Sequence, residues 1–306
     1  MENKNKDVMY GGLLLNKTVK FMAISGTEMV ETAREKHGLS RVCTAALGRL
    51  LLAVSMMSAR LKSETDSITV TFAGGGPAGN LTAVGHTGGI VKGCVTNPEL
   101  ELPLNEEGKL DVRGAVGTAG EMRVIRDLSL KEPYIGRCGL VSGEIADDFA
   151  NYFLMSEQQP SLVYLGVRVE PVSGKVRSAA GLMLAPLPNC PDEDITRLEE
   201  IASEISLLSK HIDDGEDLRG ALTKLFSDME LEITDELSPE YRCDCSRERL
   251  ESVIISLGER ELTDIIETDG KAELVCSFCQ KKYVFTEDEL RALLLEAQTR
   301  EEPLDE

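Results

Sequence analysis

Cys243-Asp244-Cys245 and, about thirty residues further on, Cys276-Ser277-Phe278-Cys279 have the clearest capacity for chemistry in this chain. Two thiols lie one residue apart, two more lie two apart, and the intervening segment is long enough to fold back. All four sulfurs can therefore converge on one tetrahedral ion. Zn²⁺ suits such a set: four thiolates bind it at about 2.3 Å and leave no position open for a substrate, which makes the ion structural. The alternative, four unrelated buried cysteines, is disfavoured by the paired spacing. The CxC half is unusual for a purely structural site, where CxxC or wider pairs are the rule. It suggests a second use. If an oxidant takes the sulfurs off the metal, the neighbours can close as disulfides, Cys243 with Cys245 and Cys276 with Cys279. In small zinc domains the metal-binding free energy, about 10–16 kcal/mol in finger peptides, is largely the folding free energy. Loss of the ion therefore predicts unfolding, and oxidation becomes a conformational switch.

Two other uses of this cysteine pattern compete. In a nucleic-acid-binding zinc ribbon a clustered basic face would meet the phosphates, but residues 241–285 hold seven Lys or Arg against nine Asp or Glu, and the whole chain carries a formal net charge of -20. No nucleic-acid partner is expected. In a thiol-disulfide oxidoreductase CxxC would perform exchange chemistry, with turnover and one dominant reactive thiolate. Elsewhere nothing assembles an enzyme. Gly74-Gly75-Gly76-Pro77 lacks the GxxxxGK[ST] pattern of a phosphate-cradling loop and reads as a turn between strands. His37, His86 and His211 sit in no HExxH pattern, and no GxSxG elbow occurs. The scattered Cys43, Cys94, Cys138 and Cys190 read as buried inert thiols.

The elements that must position the cysteines come from a chain of ordinary globular composition, 42% hydrophobic and 28% charged. No run approaches the roughly 18–20 consecutive apolar residues of a membrane span, and the first residues, MENKNKDVMYGGLLLN, contain too short an apolar run for a secretory signal. No membrane partner is expected. A reducing cytoplasmic location follows, where eight cysteines are thiols or metal ligands rather than standing disulfides. Residues 1–185 read as a mixed α/β core. Strands are expected at 18–25, 67–72, 81–84, 90–95, 121–126, 161–169 and 175–184. One helix, capped by Thr27, should end at Gly38, and a longer apolar one should run from Ser40 to about Leu61, with Met56 and Met57 as core filler. Another begins at Ser142-Gly143-Glu144, with Ile145, Phe149, Phe153 and Leu154 on one face and Asp147, Asp148 and Asn151 elsewhere.

Beyond Pro186 the character changes. Residues 187–240 carry 16 Asp or Glu and four Lys or Arg, a net of -12. Ile195, Leu198, Ile201, Ile205 and Leu208 recur at steps of three and four, and Leu218, Leu222, Leu225, Phe226 and Met229 supply a second stripe. These are amphipathic helices that need a partner surface, and like-charge crowding makes them marginal without it. Leu290, Leu293 and Leu294 suggest a short terminal helix before a solvated tail.

From Tyr241 to Phe285 the sequence, YRCDCSRERLESVIISLGERELTDIIETDGKAELVCSFCQKKYVF, resembles the zinc domain of the redox-regulated heat-shock chaperonin family of about 33 kDa. Upstream, GGGPAGNLTAV, NPELELP, KLDVRGAVGTAGEMRVIRD, EPYIG, LVSGEIADDFANYF and SEQQPS resemble that family's core domain in order and spacing, so the likeness spans nearly the whole chain. It implies an α+β protein in three parts: a mixed α/β client-binding and dimerisation domain over 1–185, an acidic helical linker over 186–238, and a small zinc-binding redox-switch domain over 239–306. It also implies the activity: an ATP-independent holdase, not an enzyme, kept inactive by one Zn²⁺ on Cys243, Cys245, Cys276 and Cys279 and activated by oxidants. Its partners would be unfolding client proteins and, when oxidised, a second copy of itself.

Overall fold

Sheets and helices of a computed structural model describe residues 6–301 and separate into two units, 1–242 and 243–306. The five residues at each end, including the expected solvated tail, lie outside the described residues.

In the first unit the strands and helices run β1 (Val8–Leu14), β2 (Val19–Ser25), α1 (Thr27–His37), α2 (Arg41–Ser58), β3 (Ser67–Ala73), β4 (Leu81–His86), β5 (Ile90–Val95), α3 (Val112–Val116), β6 (Glu121–Asp127), β7 (Tyr134–Gly139), α4 (Ala146–Glu157), β8 (Leu162–Val169) and β9 (Val176–Pro186). The acidic stretch continues with α5 (Asp192–Glu200), α6 (Ala202–Ile205), α7 (Leu208–Asp213), α8 (Leu218–Leu225), β10 (Glu232–Leu237) and β11 (Glu240–Tyr241). Two sheets result, a five-stranded one in the order β10-β1-β2-β9-β8 and a six-stranded one in the order β11-β5-β4-β3-β6-β7.

Helix α2 packs against strands of both sheets. Ser40, expected as its first residue, caps it by accepting from the Cys43 N–H, and 15 of its 18 residues are buried. Its mean hydropathy of 1.3 makes it long and apolar enough to cross a membrane, contrary to the sequence expectation that no window comes near. With 83% of that window buried inside the fold, it is a core helix.

The five-stranded sheet is apolar on both sides. On β2, Ile24 belongs to the cluster around α2 and Met22 packs against it, whereas Val19, Phe21 and Ala23 belong to a second cluster on the opposite face. On β9, Ala179 belongs to the first cluster, and Ala180, Leu182 and Leu184 to the second. The acidic stretch completes that second cluster with Leu198, Ile205, Leu208, Leu218, Ala221, Leu222, Phe226 and Met229. Both expected apolar stripes are therefore present and occupied. The helices are short, four to nine residues, and the stretch also contributes a strand within the part read as helical. β10 pairs antiparallel with β1, where a Cβ on Gly12 would stand 2.0 Å from the Glu232 carbonyl oxygen, so only glycine permits that approach. Cations from the sheet and its rim offset the crowded acids: Asp213, 5% exposed, pairs with Arg168 at 3.0 Å and Arg177 at 2.8 Å, and Arg60 pairs with Asp235 at 2.5 Å.

Two caps differ from expectation. Thr27 is the first residue of α1 rather than its cap; the free N–H groups of Glu28 and Met29 donate instead to Asp7, at 3.0 and 2.6 Å. Asp148, expected away from the apolar face of α4, is fully buried and accepts from the N–H groups of Val141, Ser142 and Ile145, fixing the loop that enters the helix. Both are tertiary hydrogen bonds that local periodicity does not encode.

The second unit is built from α9 (Arg247–Ile255), α10 (Glu259–Thr268), the hairpin β12 (Lys271–Val275) and β13 (Lys282–Thr286), and α11 (Glu287–Glu301). Its apolar cluster is small: Ile254, Leu262, Ile266, Tyr283, Phe285, Leu290 and Leu293, with partly buried neighbours.

Candidate metal centre

Each half of the cysteine set is placed by a local turn. Cys276 and Cys279 occupy the connection of the β12–β13 hairpin, closed by Cys276 N–H to Lys281 O at 3.0 Å, Cys279 N–H to Cys276 O at 3.3 Å and Gln280 N–H to Cys276 O at 2.8 Å, with Gln280 at φ 59°. Cys243 and Cys245 lie on the segment entering α9, where Ser246 caps the helix by accepting from the Arg249 N–H. Cys245 thus stands next to the positive end of a helix dipole, which favours a thiolate. Arg247 binds the two halves together: it stacks over the Phe285 ring at 4.3 Å, donates to the Val284 carbonyl at 3.1 Å and pairs with Glu289 at 2.6 Å.

The four sulfurs all lie within 4.8 Å of one another. Cys243 Sγ is 3.7 Å from Cys276 Sγ, and Cys245 Sγ is 3.4 Å from Cys279 Sγ. Four Zn–S bonds of about 2.3 Å in a tetrahedron span sulfur–sulfur edges of about 3.8 Å, so the cluster fits one such ion with little movement. Among the described residues it is the one group of Cys, His, Asp and Glu with ligand atoms gathered this closely.

Four thiols cannot all ionise cheaply at this spacing without a cation. Burial opposes ionisation of Cys245, yet hydrogen bonds from the Tyr283 hydroxyl, 3.3 Å away, and from its three neighbours outweigh it and bring its pKa down to about 7. Cys243 and Cys279 move the other way, pushed up by burial first and then by donating, Cys243 to the other three sulfurs and Cys279 to Cys245 and Cys276. Donating to Cys245 also pushes Tyr283 up to about 12. Without a metal the set thus favours the thiolate at Cys245 over those at Cys243 and Cys279, and a soft divalent cation favours ionisation of all its sulfur ligands. Tyr283 was not singled out in the sequence; its signal is the alternation of β13, which puts it on the same buried face as Phe285.

The other cysteines belong to the first unit. Cys43 is buried, donates to the Asn97 carbonyl at 3.3 Å and is pushed up by burial, as is Cys138. Cys190 is half-buried and 3.7 Å from the Pro191 carbonyl oxygen, and Cys94 is half-buried in β5. The histidines are likewise dispersed: His37 meets the Tyr241 hydroxyl at 3.0 Å, His86 the Asp66 carbonyl and His211 the Glu216 carboxylate. The Gly74–Pro77 stretch is a turn between β3 and β4. A Cβ on Gly74 or Gly76 would come within 2.4 Å of carbonyl oxygens in residues 115–116, so its glycines serve backbone packing.

A second feature escaped the sequence reading: the last residues before Cys243 are pinned. Tyr241 is buried, its hydroxyl donates to the Gly93 carbonyl at 2.8 Å, and Arg242 N–H donates to Val91 O at 2.9 Å where β11 runs parallel to β5.

Residues 7–286 match a family model described as Hsp33 protein. A 33 kDa chaperonin of Alkaliphilus oremlandii is 46% identical over 94% of this chain and 96% of its own length, and one of Clostridium acetobutylicum is 43% identical over 91% and 94%. The crystal structure of a 33 kDa chaperonin from Thermotoga maritima, a heat shock protein 33 homolog, superposes with a TM-score of 0.86 at 36% identity, covering 96% of this chain and 99% of that one.

Proposed function

The chain belongs to the Hsp33 family, and on that premise we propose that this chaperone is a redox-regulated, ATP-independent holdase. The observation that carries the proposal is the gathering of Cys243, Cys245, Cys276 and Cys279 within 4.8 Å in a unit with only a small apolar core. In the reduced state these four would hold one Zn²⁺, which supplies the cross-link and the positive charge that keep four thiolates together. Under a peroxide-class oxidant each pair of thiolates would leave the ion and lose two electrons to form one disulfide, and the peroxide would take those electrons and two protons from solvent to become water. The proposed partners are local, Cys243 with Cys245 and Cys276 with Cys279. All combinations lie within reach, so peptide mapping after oxidation decides: long-range links as the main products would contradict the local assignment.

The division into a core over 1–185, a linker over 186–238 and a redox-switch domain over 239–306 gives the response its route. Without the ion the switch domain loses its main source of stability. The linker, continuous with it through β11, then leaves the outer face of the five-stranded sheet. What that uncovers is apolar: Tyr10, Val19, Phe21, Ala23, Ala180, Leu182 and Leu184. Such a surface takes up unfolding clients by area burial rather than sequence recognition, and also favours a homodimer of the oxidised form. Static light scattering of a denatured client, with reduced zinc-loaded and with oxidised protein, is the test. Suppression only by the oxidised sample, at near-stoichiometric ratios and accompanied by release of about one zinc per chain, is expected; equal suppression by both samples would refute redox control.

A further inference from the structure

Between the start of β2, the end of α2 and the end of α4 lies a half-open cavity of about 190 Å³. Its apolar wall comes from Met22, Met56, Met57, Phe153 and Met183, and its rim carries Lys20, Arg60 and Arg126 against one acid, Glu157. Met22 and Met183 face each other across the β2–β9 pairing, so two thioethers meet on one patch of sheet. Three cations around an apolar hollow are unexpected in a chain of net charge -20.

The cations are unequally paired. Arg60 pairs with Asp235 and Arg126 with Glu157. Lys20 donates at 3.1 Å to Gln159 Oε1, a neutral amide oxygen. The Nε of Arg126 is buried without a hydrogen-bond partner. Burial, and then the charge of Arg60, hold the Lys20 ammonium below its usual range, outweighing the opposite effect of Glu157, whose carboxylate is already paired with Arg126. A buried donor left unmet costs about 1–3 kcal/mol. An anionic group at the rim would satisfy both defects at once.

We propose that this cavity binds a small single-headed anionic amphiphile, its head between Lys20 and Arg126 and its short hydrocarbon tail on Met22, Met57 and Met183. The volume, equal to about six waters of liquid at roughly 30 Å³ each, suits a short chain rather than a long lipid. Unbranched thioether side chains adapt to tails of different shape. A carboxylate and a phosphate monoester share the required head-group chemistry.

The site is independent of the cysteine chemistry, so it is tested on the reduced, zinc-loaded full chain. Octanoate, octyl phosphate and octanol are titrated while the ¹³C-methyl signals of the methionines are followed. Saturable shifts of Met22, Met57 and Met183 are expected with octanoate, octyl phosphate or both, the stronger of them assigning the head group; octanol should bind at least tenfold more weakly. Lys20→Met, with its remaining methyl signals and thermal midpoint used to establish folding, should weaken anion binding at least tenfold. Octanol binding as tightly as the anions, unchanged affinity in folded Lys20→Met, or no saturable shift with either anion would overturn the site.

Discussion

The two faces of the five-stranded sheet are covered by helices of opposite character. Inside lies α2, one continuous helix of 18 residues with a capped start and no charged residue in its last turn, buried nearly all round. Outside lie four short helices from a stretch of net charge -12, each contributing one to three buried residues. Both coverings meet apolar strand residues of the same sheet, so the hydrophobic driving force per unit area is alike. What differs is what else each covering has. α2 is shared with a second sheet and cannot leave without dismantling the core. The outer layer is held by one sheet face, a β10 edge and a few ion pairs on side chains that are mostly half-exposed, worth about 0–1 kcal/mol each. Under the proposed mechanism the same sheet has a permanent face and a removable one, the difference that exposing apolar surface on demand without unfolding the core requires.

The comparison breaks most sharply under a matched pair of buried charges. Leu47→Asp in α2 puts an unpaired carboxylate in the two-sheet core, a cost of several kcal/mol against a total stability of about 5–15 kcal/mol. It should abolish the cooperative unfolding transition seen by circular dichroism. Ile201→Asp with Ile205→Asp makes the same chemical change in the outer layer, where Ile205 is 1% exposed. There the cost is capped by the free energy of local opening, so the layer should detach and the core remain. Client protection in scattering assays should appear with zinc still bound, together with new protease cleavage between residues 187 and 240. A folded, zinc-loaded double variant that stays inactive and uncleaved would mean that the outer layer is not what covers the client surface.

A smaller effect tests the pin at the end of the layer. Tyr241→Phe removes a hydroxyl that donates to Gly93 O and contacts His37. At roughly 1 kcal/mol for a net hydrogen bond, it should leave the thermal midpoint of the core within a few degrees while lowering the oxidant dose at which residues 187–240 become protease-sensitive. An unchanged dose would free the pin of any part in coupling.

An effect of similar size concerns the permanent face. Burial pushes Asp7 up from 3.8 to about 7 despite its bonds to Glu28 and Met29. The folded state therefore holds this proton more tightly than the unfolded one. The contribution is full below pH 3.8 and is lost as pH rises through about 7. Asp7→Asn should stabilise the protein by about 1–2 kcal/mol at pH 8, retaining one cap acceptor without the buried charge, and should flatten the decline between pH 4 and 7. Denaturant midpoints across that range measure it; a midpoint at pH 8 lower than that of the unchanged protein would show that the cap outweighs the buried charge.

Residue spacing made part of this legible. The cysteine pairs, the position where α2 begins, the turn at Gly38 and strands β2 to β6, β8 and β9 all follow from local pattern. β1 did not, because Gly11-Gly12 looks like a turn until β10 is seen to lie against it. β7 is a largely exposed edge with no apolar alternation to read, and β12 offers only the two-residue alternation of Ala272 and Leu274. The double-sided burial of β2 and β9 is a property of two partners distant in sequence, so the removable face became visible only with its covering in place.

The most direct measurement is hydrogen exchange on the full chain before and after oxidation of the four cysteines, read separately for α2, for residues 192–237 and for 243–298. Loss of protection over 243–298 together with 192–237, while α2 stays protected, is the predicted result. Unfolding confined to 243–298, with 192–237 as protected as in the reduced protein, would contradict the account.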